Sequence, residues 1–401
     1  MKKALSRIKV VELCNTPAGA YCSKLLADTG AEVVKVEEPG NGDPSRRRGP
    51  FIGDIPDKER SCLFLYLNTN KMSVTLDVKT SAGRRVFENL VKQADILVED
   101  NSPRTMRRLG LEYKTLKAIS PQLIMTSITP FGQTGPYRNY KSYPLNSYQA
   151  GGDGFLLQSG PAFSDRPPVK GGGYLGEYQA AIYAAGATMA ALFARSVAGC
   201  GQHVDCSKQE ALMTLNRNVI ATYPNDGVVE DRKSRQYDAG GIYPVKDGYA
   251  MIMPMEEHQW QGVVHMMGDP EWAKDERFKT RQDRGQHRDE INAHVIAWMK
   301  QHTKEEVYKL GQANGVPTGP FYSPKEVLQS EQLKSRGFFV EFNHAAAGRV
   351  KVPVGVCKMS KTPVSIDKAP PLLGEHNETI YRERLGYSNE ELVKLRDAGA
   401  I

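Results

Sequence analysis

Residues 8–38, IKVVELCNTPAGAYCSKLLADTGAEVVKVEE, decide the fold. They open with a short apolar strand, IKVVEL, pass through the loop CNTPAGAY into a helix that runs through LLADTG, and end in a second apolar strand, AEVVKVE. Strands this short and apolar belong to a parallel sheet buried on both faces, and a repeat of about 30 residues is the length of one strand-helix-strand crossover. The chain therefore begins as a Rossmann-like α/β domain. Pro17, Ala18 and Gly19 stand where a dinucleotide fold places the glycines of its G-x-G-x-x-G loop, which disfavours a nicotinamide cofactor. A helix N-terminus behind such a loop still suits a phosphate.

The same pattern continues. A helix through GRRVFENLVKQA leads to the strand ADILVED, whose carboxyl end, Glu99 to Asn101, is where an open α/β sheet binds its ligand. LFLYLNTNKMSVTLDVKT reads as strand, turn, strand, and LIMTSIT is a further strand leaving through a loop with Gly132, Gln133, Gly135 and Pro136. From Val228 to Gln236 the chain turns polar and charged, VVEDRKSRQ, as a linker does. A new module follows: a strand pair around Lys246, Asp247 and Gly248, then mainly helix from Gln259 to Gly315. VPTGPFYSPKEVLQSEQLKSRGFFVEF reads as the return connection. The expected division is a large domain built from 1–225 and 330–401 and a small α/β domain at 226–329.

Residues 170–212 add a different unit, KGGGYLGEYQAAIYAAGATMAALFARSVAGCGQHVDCSKQEAL. Four glycines allow a tight turn and close approach of another molecule, and Glu177 then opens a helix with nine alanines between Ala180 and Ala198. A carboxylate there sits at the positive end of the helix, either as a solvated capping residue or as a site acid. The turn AGCGQ delivers a last strand, HVDCS, before the helix KQEALMTLNRNVIATY.

At 401 residues and 40% hydrophobic content the chain can bury a large core, and two domains are expected. The net charge of +7 favours acidic ligands without requiring nucleic acid. No apolar run approaches the ~18 residues that cross a membrane, and MKKALSRIKVVEL enters a strand without a cleavable leader pattern, so a cytoplasmic protein is expected. The six cysteines form no CxxC pair and no metal spacing, which points to reduced core thiols. Arg46 to Arg48 suit a phosphate or, more simply, a solvated loop.

These motifs resemble, in order and from Ile8 to about Gly386, the family III CoA-transferases, the group of the formyl-CoA:oxalate and carnitine CoA-transferases, with the alpha-methylacyl-CoA racemases as relatives. The family's small-residue loop, acid, alanine-rich helix and G-x-G-Q-x-V-D correspond here to Glu177 and to Gly199, Gly201, Gln202, Val204 and Asp205, followed by Glu210. Its N-K-x-S turn corresponds to Asn70, Lys71 and Ser73, and its final A-P-x-L-G-E-H to Ala369–His376, where His376 is read as structural. Two departures stand out: the family nucleophile is normally aspartate where this chain has Glu177, and Asp100 replaces an asparagine in V-E-N-F-x-P-G.

The resemblance implies a fold of interlocked-ring dimers and no permanently bound cofactor, with a coenzyme A thioester and a carboxylic acid as substrates. It implies Asn15, Thr16, Pro17, Ala18, Lys71, Asp100, Asn101 and Arg108 as CoA contacts, Glu177 as the catalytic acid, and amides at Gly132 or at Gly240 and Gly241 as oxyanion donors, the latter pair also as a short lid. Tyr137, Tyr143, Phe155 and Tyr178 suit an apolar acyl pocket. It leaves open a homodimer in which Glu177 is the nucleophile and a heterodimer with a related chain that supplies the aspartate, as in the benzylsuccinate CoA-transferases. Racemase chemistry ranks last, because no histidine occurs between Met1 and Gly201.

Overall fold

The computed structural model describes residues 3–156, 167–231, 240–355 and 357–401. The chain divides into two compact units, one joining the N-terminal part through Glu230 to Gly337–Ile401, the other centred on Asp231–Arg336.

The first unit is built on six parallel strands, β1 (Lys9–Leu13), β2 (Glu32–Glu37), β3 (Lys71–Thr75), β4 (Ile96–Glu99), β5 (Ile124–Thr129) and β6 (His203–Ser207), in the order β3-β2-β1-β4-β5-β6. Alternation along each strand sends side chains to two buried faces. Val10, Val33, Ile96, Val98 and Ile124 meet Ala18, Cys22 and Leu26 of the first helix (Pro17–Asp28) and Ala180, Ala181 and Ala184 of the alanine helix (Leu175–Ala198). On the opposite face Val11, Val34, Met72, Leu97 and Met125 meet Val86, Phe87 and Leu90 from Ser81–Lys92, together with Ile380, Tyr381, Leu392 and Leu395 from the C-terminal end. Each fully buried side chain of this kind is worth about 1.5–3 kcal/mol, so the last 25 or so residues are integral to the sheet's core.

Alanines let the long helix lie close to the first helix and the sheet, with Ala180, Ala181 and Ala184 fully buried. Against expectation, this helix is long and apolar enough, by length and composition, to cross a membrane. The reason is that its two charges, Glu177 and Arg195, stand near its ends. Its buried face is core, while Ile182, Phe193 and Val197 are exposed. At Gly201 an added Cβ would lie 2.0 Å from the Leu123 carbonyl, so only glycine lets the chain enter β6 beside β5.

Three local readings are corrected. Cys62–Leu67 is a helix capped by the Ser61 side chain, so the expected strand-turn-strand is helix, turn, β3; a six-residue apolar run does not reveal its period. The helix after β6 breaks into Lys208–Met213, a short 3-10 turn and Arg217–Asp226. The residues Gly240 and Gly241 lead into and begin β7 (Gly241–Val245), and Gly241 pairs with Ile252.

The second unit holds the antiparallel strands β7, β8 (Gly248–Ile252) and β9 (Thr318–Pro320), packed on helices through Trp260, Val263, Ile291, Val295, Met299 and Val307. Most of the polar linker at 228–236 lies outside the described residues. After the second unit, the hairpin β10 (Phe339–His344) and β11 (Gly348–Pro353) returns the chain to the first.

Candidate active site

The strand order reverses between β1 and β4, the switch point at which open α/β sheets bind ligands. Asn15 and Thr16 leave β1 there, and Asp100 and Asn101 leave β4. Asp100 accepts from the Asn15 amide at 2.8 Å, the Thr16 amide at 2.7 Å and the Thr16 hydroxyl at 2.6 Å. Asn101 donates to the Leu13 carbonyl at 3.0 Å and accepts from Asn15 Nδ2 at 3.4 Å. Gly19 is required beneath, since a Cβ would lie 2.4 Å from Cys14 Sγ and 2.8 Å from Asp100 Oδ2.

This geometry corrects the expected phosphate contact. The amides ahead of the first helix, which would draw an anion, already hold the Asp100 carboxylate. Pro17 and Ala18 are buried in the core and offer no side-chain surface. Lys71 is also closed off: it is 1% exposed, pairs with Glu12 at 2.8 Å and donates to the Ala20 carbonyl and Asn68. Arg46 is fully buried between Glu37 and Glu59 over the Phe64 ring, while Arg47 and Arg48 are exposed.

Asn15, Asn101 and Arg108 instead line a crevice of about 220 Å³ with Thr105, Lys79 and the chain after β3. Its charged lining is mixed: the cations Arg108 and Lys79 stand beside Glu37, Glu38 and Asp77, and Lys79 pairs with Glu38 at 2.9 Å, which leaves Arg108 as the cation for a phosphorylated ligand.

Glu177 occupies the third position of the alanine helix and is 3% exposed. Its Oε2 accepts from Lys208 Nζ at 2.7 Å, and Lys208, itself 4% exposed, also donates to Thr16 Oγ1 at 3.3 Å. One chain of polar contacts thus runs from Glu177 through Lys208 and Thr16 to Asp100. Burial pushes the Asp100 carboxyl up to about 6, against the pull of Lys208 and the Thr16 and Asn15 donors. The sequence reading missed Lys208. A lysine at the first position of a helix opposes the helix dipole, and that unfavourable placement was the available signal.

A second missed group lies on the opposite face of β4, β5 and β6. Glu99 is fully buried, accepts from the Asn101 amide at 2.8 Å, and is pushed up to about 8 by burial, although Ser127 and Asn101 pull it down. Ser127 Oγ lies 2.9 Å from His203 Nε2, and the His203 ring stacks on Tyr113. Among the expected pocket aromatics, Tyr137, Tyr143 and Phe155 are exposed, whereas Tyr178 packs edge-on to Tyr21 at 4.8 Å. Asp205 accepts from the Gln133 amide and holds the Gly132 turn. Among the described residues no group of three or more His, Cys, Asp or Glu side chains is gathered to hold a metal ion.

A parallel sheet with its polar groups gathered at the carboxyl edge, and an acid at a helix start beside them, defines an α/β protein with a candidate ligand site at the switch point. The chain belongs to CoA-transferase family III, whose profile it matches over residues 5–377. It is 33% identical to the succinyl-CoA–D-citramalate CoA-transferase of Chloroflexus aurantiacus, over 98% of this chain and 97% of that one. It is 31% identical to the formyl-CoA:oxalate CoA-transferase of Streptomyces coelicolor, over 100% and 99%. Among solved structures, a CAIB/BAIF family protein from Brucella suis superposes with a TM-score of 0.84 at 31% identity, covering 96% of this chain and all of that one.

Proposed function

We propose that this chain moves coenzyme A from an acyl-CoA such as succinyl-CoA to a carboxylic acid, with Glu177 as the acyl acceptor. The observation that carries the reading is the placement of Glu177: a carboxylate at a helix start, joined through Lys208 to Thr16 at the switch point. In this reading Arg108, Asn15 and Asn101 hold the nucleotide end of CoA, and Glu177 attacks the thioester carbonyl to give a mixed anhydride. The CoA thiolate then attacks the Glu177 carbonyl carbon, the donor acid leaves, and the acceptor acid reverses both steps. Oxyanion charge falls to nearby amides, with the Gly132 turn as one source. A dimer, homomeric or with a related chain, completes the assembly.

A second reading has a specific support. The Glu177 carboxylate is nearly closed off and already engaged by Lys208, as in a subunit whose partner supplies the working aspartate. Transfer from succinyl-CoA to a panel of carboxylic acids, by the chain alone and with any related chain that co-purifies, separates the two. Activity of the chain alone that Glu177→Gln abolishes supports the first; activity only in the mixture and indifferent to Glu177→Gln supports the second.

A further inference from the structure

We propose that Lys208 is the counter-ion of acyl transfer and changes partner during it, pairing with Glu177 in the resting protein and with Asp100 once Glu177 is acylated. The inference rests on Glu177 being the acyl acceptor.

Three charged side chains, Glu177, Lys208 and Asp100, are each more than nine-tenths buried. Lys208 is bonded to Glu177 Oε2 at 2.7 Å and to Thr16 Oγ1 at 3.3 Å, and that hydroxyl donates to Asp100 Oδ2 at 2.6 Å. The ammonium is therefore one hydroxyl away from a second carboxylate, on a flexible stem with three donors. Asp205 and Glu210 act on the same Cys206 thiol as Lys208, and Glu12 and Lys35 on the same Cys14 thiol as Asp100, but the Lys208 ammonium is bonded to Glu177 and Thr16. Burial pushes Glu99 up to about 8 and the Cys206 thiol up to about 11, and it raises the Cys14 thiol well above its ordinary value.

The chemistry makes a second partner necessary. Attack by Glu177 Oε forms a C–O bond to the acyl carbon and breaks its C–S bond, and the electron pair leaves on the CoA sulfur. That thiolate then forms a C–S bond to Glu177 Cδ and breaks the Cδ–Oε bond, so the donor acid departs as a carboxylate carrying the bridging oxygen. Glu177 enters as an anion and is left as a neutral thioester. A buried ammonium stripped of its partner is strongly disfavoured. The Asp100 carboxylate supplies the missing charge; an asparagine, the usual residue in the family at this point, would not.

The test quantifies the Glu177 thioester by peptide mass spectrometry, together with kcat and KM for succinyl-CoA, using the protein with whatever chain co-purifies. Wild type is compared with Asp100→Asn, Lys208→Met and the double variant. Asp100→Asn is expected to lower both the adduct and kcat about 10-fold with KM within about 2-fold, and adding Lys208→Met should restore part of the loss because no ammonium is then stranded. The proposal is overturned if Asp100→Asn keeps wild-type adduct, if its loss is confined to KM as loosening of the Asn15–Thr16 loop would give, or if the double variant recovers nothing. Turnover by wild type with no adduct on Glu177 sinks the acyl-acceptor reading itself, a distinct failure.

Discussion

Glu177 and Lys208 are fitted to one another at a separation of 2.7 Å, and the length of each side chain matters. Glu177→Asp withdraws the carboxylate by on the order of 1 Å, and transfer activity is expected to fall about 100-fold despite the identical chemistry, as steady-state kinetics would register. Glu99 makes a second prediction at this scale. Its folded carboxyl is pushed up to about 8, above the ordinary 4.5, so the folded state holds the proton more tightly than the unfolded one. Stability associated with that proton is present below about pH 4.5 and drains away as pH rises toward 8. Glu99→Gln mimics the protonated form and removes this slope. Relative to wild type it should gain at least about 1 kcal/mol between pH 5 and 8.5, each pKa unit being worth about 1.4 kcal/mol. Urea midpoints at the two pH values that move in parallel for both proteins would contradict the assignment.

Among the elements, β1 to β3 carry a buried ionic layer as well as apolar faces. Lys35 on β2 bridges Glu12 and Asp43, each at 2.6 Å, and Lys71 on β3 also reaches Glu12. Burial alone would raise the Glu12 carboxyl, but Lys35 and Lys71 outweigh it and hold it below its ordinary value. Lys35→Met strands the buried Asp43 carboxylate and leaves Glu12 with Lys71 as its remaining cation, and should cost about 3–5 kcal/mol in chemical denaturation. Lys71 belongs to this layer, which is why the ammonium of a lysine resembling a phosphate ligand in sequence is committed to Glu12 and its neighbours. Arg108 is the opposite case, an exposed cation on the crevice wall. Arg108→Ala is expected to raise KM for acyl-CoA several-fold with kcat little changed, because it removes binding shared by ground and transition states; a fall in kcat alone would remove it from the nucleotide site.

For the whole molecule, the first unit closes on itself through contacts nearly the length of the chain apart. His376 accepts from the Ser73 amide through Nδ1 at 3.3 Å and its own amide donates to the Ser73 carbonyl. Asn377 accepts from the Thr75 amide, and Tyr381 donates to the Thr75 carbonyl at 2.8 Å. These bonds cover the open edge of β3, which would otherwise be free to pair with another chain. Truncation after Lys368 should therefore give insoluble protein, and the milder Asn377→Ala should cost about 1 kcal/mol. Soluble, monodisperse truncated protein would show that the edge needs no cover.

The sequence by itself determined the parallel α/β sheet, the helix that begins beside Glu177 and the motifs of the family, because strand burial, helix composition and turn residues are local patterns. Through the resemblance to the family it also marked Asn15 and Asn101, which stand just beyond strand ends, and Arg108, which lies on the helix after β4. Only the tertiary structure decided which polar residues face a ligand and which face each other. Lys71, Arg46 and Asp100 are the same residue types that bind phosphates or line pockets elsewhere, and their burial against Glu12, the Pro371 carbonyl and the Asn15–Thr16 amides depends on segments far away in the chain. Lys208 meets Glu177 only because β6 ends beside the start of the alanine helix, a proximity set by packing and carried by no local pattern.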